Sequence, residues 1–233
     1  MILFTSDIDW APDEVIEDML SIFESYQVKC TLFATHRSSV VENCNAGLFE
    51  TAIHPNFNPT LIEGKGEKAD SILDNILSIY PNAKGVRSHS MTQSTVLLDK
   101  FRERGMIYDS NHFLPYHANV QPYKLWTGLI RIPYIWEDFV HAAYHYTYDD
   151  CRVDLKKEGI KIFNFHPVHT FLNTENSERY NSAKKYYHDA KNLKECRNLK
   201  TKGARDMLIQ LLEFVKNNHS GSKTLYEVAK DMA

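Results

Sequence analysis

Residues 1–34, MILFTSDIDWAPDEVIEDMLSIFESYQVKCTLFA, decide the fold class. Ile2-Leu3-Phe4-Thr5 is a short apolar, β-favouring run that delivers Asp7 and Asp9 at its end. Pro12 stands where a first helical position belongs, and Asp13 and Glu14 behind it suit the positive end of a helix dipole. Val15, Ile16, Met19, Leu20, Phe23 and Tyr26 then recur at three- and four-residue spacing and mark one buried helix face. Cys30-Thr31-Leu32-Phe33-Ala34 is the next strand, so the stretch reads strand, helix, strand.

The same alternation continues outward. Leu48 to Ile53 is a weaker strand leading to His54-Pro55. A helix capped near Asp70 buries Ile72, Leu73, Ile76, Leu77 and Tyr80, and Val86-Arg87-Ser88-His89 opens another extended segment. A helix capped near Thr92 carries Val96, Leu97 and Phe101 and stops at Gly105. Met106–Asp109, Leu129–Tyr134 and Ile160–Phe165 read as further strands, the last ending in His166-Pro167-Val168-His169. Leu208, Leu211, Leu212 and Val215 line a final amphipathic helix, with a short one after Thr224. Repeated strand–helix units predict an α/β fold with a parallel sheet, open or closed into a barrel. With no Gly/Ser-rich linker and no internal repeat, residues 1–233 are expected to form a single domain. Residues 173–203, rich in Asn, Lys and Tyr, are expected to be a polar surface insertion.

Composition excludes several classes. The 233 residues are 43% hydrophobic and 24% charged, enough apolar material for a core and too much for disorder. Lys+Arg 27 against Asp+Glu 30 gives a net charge of −3, without the basic footprint of a general nucleic-acid binder. No apolar run approaches the roughly 18–20 residues of a membrane span. The start lacks the basic and long apolar stretch of a signal peptide, so a cytoplasmic location is expected. Cys30, Cys44, Cys151 and Cys196 are scattered and form no zinc ribbon or disulfide framework. The unusual number is 11 His.

Position singles out a few of those histidines. Asp7 and Asp9, His54, Arg87 and His89, Asp109, and His166 all follow strands, and in a parallel architecture those ends converge on one face. Each alone has a bland reading as a cap, a turn former or a hydrogen-bonded core residue. Asp7 and Asp9 are two apart, so in an extended strand both carboxylates share a face and repel unless a cation intervenes. A divalent metal or the Arg87 guanidinium answers that need, while Asp9 could instead cap the helix at Pro12. His54 and Asn58 are four apart, but Pro55 and Pro59 argue for an irregular loop. Neutral imidazole at His166 or His169 suits proton transfer near pH 7, with one of the two structural.

The order of these motifs resembles the polysaccharide deacetylases, the NodB-homology or carbohydrate esterase 4 domain, over about residues 2–170. Phe4-Thr5-Ser6-Asp7-Ile8-Asp9 is similar to the family's Thr-Phe-Asp-Asp-Gly, and His54-Pro55-Asn56-Phe57-Asn58 matches the first position of its His-x-x-x-His. Arg87-Ser88-His89-Ser90 opens like its Arg motif, and Phe163-Asn164-Phe165-His166 looks like its strand to a catalytic His. Within the family the chain most resembles the atypical WbmS type, associated with bacterial O-antigen clusters. Ile8 replaces the metal-binding second Asp, Asn58 replaces the second metal His, and His89 stands where Pro is usual.

The resemblance implies a single distorted (β/α) barrel closed by the terminal helix. It implies a hydrolase that removes an N- or O-acetyl group from a carbohydrate with one divalent ion, zinc first and cobalt, manganese or nickel as alternatives. Asp9 and His54 would hold the ion with His89 or Asn58. Asp7 would be the base, kept ionised by Arg87, and His166 the acid. Trp10, Asn56, Trp136 and His169 are expected to meet substrate; Trp126, Tyr134 and Trp136 could stack on sugar rings or serve as core and rim packing, and Trp10 has the same two readings. Lys184, Lys185, Lys191, Lys194, Arg197, Lys200, Lys202 and Arg205 form a basic stretch that either faces water or contacts the diphosphate of a nucleotide- or lipid-linked sugar. Two other readings remain: a barrel phosphoesterase or amidohydrolase, and a deacetylase-like glycan-binding protein.

Overall fold

The structure, a computed structural model, describes residues 1–61, 64–218 and 222–232; His219, one of the 11 histidines, lies outside the described residues. The strands are β1 (Ile2–Asp7), β2 (Cys30–Ala34), β3 (Phe49–Ile53), β4 (Gly85–Val86), β5 (Tyr108–Asp109), β6 (Tyr123–Lys124), β7 (Ile130–Arg131), β8 (Trp136–Glu137) and β9 (Lys161–Phe165). The helices are α1 (Asp13–Tyr26), α2 (Ser39–Glu42), α3 (Asn58–Leu61), α4 (Ala69–Ile79), α5 (Thr95–Glu103), α6 (Asp138–Ala143), α7 (Pro167–Leu172), α8 (Ser177–Ala183), α9 (Ala190–Glu195), α10 (Ala204–Asn217) and α11 (Leu225–Asp231). Two predicted caps shift. Ser94, not Thr92, caps α5 through Leu97 N, because the Thr92 hydroxyl is bonded to Asn58 and the His89 carbonyl. Asp70 lies inside the first turn of α4 and pairs with Lys100 and Arg104.

The sheet runs β6-β7-β5-β4-β3-β2-β1-β9-β8 and is parallel except for β6 against β7. Its central strands are buried on both faces, as parallel strands covered by helices must be. The sheet curls into a half-barrel, and one chain segment contributes a strand near each of its ends. Residues 130–131 pair with β5 and residues 136–137 pair with β9. Side-chain alternation then makes two cores. Leu3, Phe33, Ala52, Ile132 and Ile162 fill the barrel, while Phe4, Leu32 and Phe163 point outward onto α1, α7 and α10.

The lower end of the barrel is plugged by α11. Leu225, Val228 and Ala229 enter the inner core, and Thr224 with Glu227 forms a capping box. The Leu225 N–H donates to Thr31 Oγ1 and the Tyr226 N–H donates to Glu50 Oε2, each at 2.9 Å. Glu50 also accepts from Tyr108 Oη at 2.5 Å, and the Tyr108 ring fills the space beside Gly85, where a Cβ would lie 1.9 Å from it. The strand ends at the other rim are left free for polar groups.

Residues 173–203 are more than a surface excursion. Their lysines are exposed, yet Ala183, Leu193 and Asn198 are buried, and Arg197 is bonded to the Phe171 carbonyl. Arg197 and Arg205 pair with Asp18 of α1, so part of the basic stretch is structural. Among the described residues no helix is long and apolar enough to cross a membrane. The four cysteines are free thiols.

Candidate active site

Asp7 ends β1, His54 follows β3, Arg87 follows β4, Asp138 follows β8 and His166 follows β9. Together they open onto a cavity of about 330 Å³ at the C-terminal rim of the barrel, with Asp138 just behind His166. Four of these positions were legible as strand-end polar residues; Asp138 was not singled out.

Arg87 is the buried centre of this rim. Its guanidinium lies between the rings of Phe33 and Tyr134, 4.3 and 4.2 Å from their centroids. It donates to Asp7 Oδ1 at 2.9 Å, Asn164 Oδ1 at 2.7 Å and Ser110 Oγ at 2.8 Å. Asn164 Nδ2 donates to the other Asp7 oxygen at 3.0 Å. Burial by itself would raise the Asp7 carboxyl, but Arg87, helped by His54 and His166, holds it below the ordinary carboxylate range. Asp7 is therefore ionised and held rigidly at the cavity wall.

Asp9 does not share the Asp7 face of an extended strand. The chain leaves β1 after Asp7, buries Ile8 in the outer core and enters a left-handed turn with φ 38° at Asp9 and 57° at Trp10. The turn separates the two carboxylates: Asp7 goes to the guanidinium and Asp9 goes to imidazoles. Asp9 Oδ1 lies 3.3 Å from His54 Nε2 and 3.4 Å from His89 Nδ1, and those two nitrogens are 3.3 Å apart. The same oxygen is buried without a well-formed hydrogen bond. Burial would raise the Asp9 carboxyl, but the two imidazoles hold it well below the ordinary range.

This triangle fits a metal ion. Ligands around tetrahedral zinc, with bonds of ~2.0–2.2 Å, lie about 3.3–3.5 Å from one another. One carboxylate oxygen and two imidazole nitrogens are also the donor types such an ion takes. His89, not Asn58, completes the set. Asn58 lies on α3, where its amide donates to Ser90 Oγ at 3.0 Å and its oxygen accepts from Thr92 Oγ1 at 2.8 Å. Pro55 keeps residues 54–58 from forming the helical turn that would bring Asn58 to His54.

On the opposite side, Asp138 Oδ1 lies 2.7 Å from His166 Nδ1, and Asp138 Oδ2 accepts from the His166 N–H at 2.7 Å. Burial would lower His166, yet Asp138 raises the imidazole well above its ordinary value, so its Nε2 carries a proton at neutral pH. That atom is 3.7 Å from Asp9 Oδ2. His169 also lines the cavity, but burial pushes it down to about 4, and its Nδ1 is 3.1 Å from Thr174 Oγ1. Of the two histidines after β9, His166 is the charged one.

The expected substrate contacts divide. Trp136 is fully buried against Phe163 and Phe165 and is corrected to a core residue, because β8 turns it to the helix-covered side. Asn56 lies outside the cavity wall, its side chain accepting from the Asn58 N–H at 3.0 Å. Trp10 stands at the rim, edge-on to His89 with centroids 5.2 Å apart. Trp126 is 71% exposed on the β6–β7 hairpin, away from the cavity, whereas Tyr134 lines it. Sequence reasoning missed Glu137, whose carboxyl is pushed up by burial, and Tyr180 and Tyr187, which the 173–203 segment brings to the wall.

A family model described as WbmS-like polysaccharide deacetylase matches residues 4–184. Among solved structures, the chain is 38% identical, with TM-score 0.85, to one from Bordetella bronchiseptica described as a polysaccharide deacetylase involved in O-antigen biosynthesis. That match covers 91% of this chain and 90% of the other. The fold is shared with a Mycobacterium smegmatis structure described as a polysaccharide deacetylase, at 15% identity and TM-score 0.59 over 99% of this chain and 88% of that one. It is shared also with the peptidoglycan N-acetylglucosamine deacetylase Bc1960, solved with an aryl hydroxamate, at 13% identity and TM-score 0.55 over 96% and 85%. No curated protein matches the chain.

Proposed function

The chain belongs to the WbmS-like polysaccharide deacetylase family, and from that premise we propose that it is a metal-dependent hydrolase removing an N- or O-acetyl group from a sugar in bacterial O-antigen-like biosynthesis. The observation that carries this reading is the buried Asp9 oxygen facing His54 and His89 with no hydrogen bond of its own. These three side chains would hold the ion, zinc in the first instance. When bound, a divalent ion in such a site supplies an activated water and polarises an acyl carbonyl.

The protein's own groups divide the proton work. Asp7, fixed by Arg87 and Asn164, takes the proton released as water attacks. His166, charged through Asp138, gives its Nε2 proton to the departing amine or alkoxide. Arg87 keeps the base ionised and moves nothing itself. A cavity of about 330 Å³ is at the small end for small-molecule sites and suits one sugar ring with its acyl group. The exposed Lys184 and Lys185 adjoin Tyr180 and Tyr187 on the same segment, which favours a nucleotide- or lipid-linked form of that sugar.

Elemental analysis of the wild type and Asp9→Ala, run beside acetate release from N-acetylated sugars, tests the reading. The expected outcome is about one ion per wild-type chain, lost in the variant together with turnover. Full metal content in Asp9→Ala would remove the ligand assignment. A wild type that binds sugar but holds no zinc, cobalt or manganese would favour a glycan-binding protein instead.

A further inference from the structure

We infer that Tyr187 is a positioning residue for the Asp9 ligand, and that residues 173–203 belong to the working site through it. This rests on the metal reading given above. The Tyr187 hydroxyl donates to the Asp9 main-chain carbonyl at 2.5 Å, across 178 positions of sequence. The peptide it holds lies in an unusual place, because Asp9 and Trp10 both have positive φ and neither is glycine. Consecutive left-handed residues persist only where the surroundings over-determine them.

The rest of that turn is fastened from the barrel side. The Ile8 N–H donates to the Phe33 carbonyl at 3.2 Å, the Ala11 N–H to the Ile8 carbonyl at 2.8 Å, and the Trp10 N–H to Thr35 Oγ1 at 3.0 Å. These bonds fix the ends of the turn. The Asp9 carbonyl, at its apex, is held only from the opposite wall, by Tyr187, among the described residues. If the apex peptide rotates, the Asp9 side chain swings with it, away from His54 and His89.

Tyr187 itself has a firm base. It closes the short 3₁₀ turn Lys184–Tyr186, its N–H donating to the Lys184 carbonyl at 3.1 Å, and its ring packs against the main core. Tyr180, one helix earlier, packs against His169 with centroids 4.7 Å apart and the rings tilted by 47°, but its hydroxyl makes no hydrogen bond among the described residues. The two tyrosines therefore offer a matched pair: both line the cavity, and only one reaches the ligand.

The test is zinc affinity, read by competition with a chromophoric chelator, for wild type, Tyr187→Phe and Tyr180→Phe, with cobalt(II) spectra and melting temperatures alongside. Tyr187→Phe is expected to weaken zinc binding by roughly 10–100-fold, the usual effect of losing a group that orients a ligand. It should also alter the cobalt spectrum while the metal-free melting temperature stays close to wild type. Tyr180→Phe is expected to bind zinc as wild type does. Unchanged affinity in Tyr187→Phe, or an equal loss in both variants, would overturn the inference while leaving the metal site standing. A wild type that binds neither zinc nor cobalt would overturn the metal reading and this inference with it.

Discussion

Glu50 and Asp9 are both carboxylates drawn into the same barrel, one near each end, and the surroundings treat them in opposite ways. At the lower end, Glu50 accepts hydrogen bonds from Tyr108, Thr31 and the Tyr226 N–H, and both of its oxygens are engaged. Burial pushes its carboxyl up, and its donors bring it no cation. At the upper rim, Asp9 keeps an oxygen that is buried and unmatched, aimed at two imidazole nitrogens. Native interiors seldom leave a buried polar atom without a partner, so an exception calls for a reason. Burial of an acid is thus a poor guide to function in this fold; the unmatched oxygen is the better one.

Three substitutions would break or sharpen that contrast. The largest effect is expected from Glu50→Ala, which strands three donors and opens a void beneath α11. It should destabilise the fold by about 3 kcal/mol in urea titrations while the folded protein binds zinc normally. A parallel loss of zinc affinity would mean that the two ends of the barrel are not independent.

Asp138→Asn comes next and reports on proton donation. The raised His166 imidazole stays protonated from acid pH up through its elevated folded value, and its donor capacity is lost only as pH rises past that point. The alkaline limb of the kcat profile should therefore lie above the ordinary imidazole range in wild type. In Asp138→Asn it should fall by at least about one pH unit, because burial then acts on His166 without its main counter-charge. A limb that does not move would assign the proton to another group. Thr224→Ala should do least, costing about 1 kcal/mol of stability through the lost cap of α11 and leaving the rate unchanged.

How far the site was legible follows from how local its signals are. Asp7, His54 and His166 each stand at the end of a strand-like run and Arg87 sits in a short extended segment, and a parallel sheet gathers such positions without further information. Asp138 carries the same kind of signal after Ile135-Trp136, but β8 has only two paired residues and does not announce itself as a strand. Trp136 was misread for a related reason: an aromatic beside acids can face rim or core, and only strand pairing tells which. Asn58 was an alternative to His89 that the resemblance left open, and the structure turns its amide to Ser90 and Thr92 instead. The left-handed turn at Asp9 could not be read from a non-glycine sequence. Nothing local ties Tyr187 to a residue 178 positions away. The alternation of strands and helices, by contrast, was set by periodicity alone, which is why the fold was easier to see than the turn that arms it.

Because one segment, residues 130–137, serves both ends of the curled sheet, time enters the architecture. Of the groups that converge on Asp9, His54 and His89 come early in the growing chain, whereas His166 and Tyr187 come much later, and Asp7 waits beside the early ones. Asn164, which bonds Asp7, is made 157 residues later, and His166 follows it. A ribosome therefore delivers Asp9, His54 and His89 early, and His166 and Tyr187 late. Only when β9 slots between β1 and β8 do the two halves face each other. The pairing of β9 between β1 and β8 is what sets His166 opposite Asp7, His54 and Arg87 around one cavity.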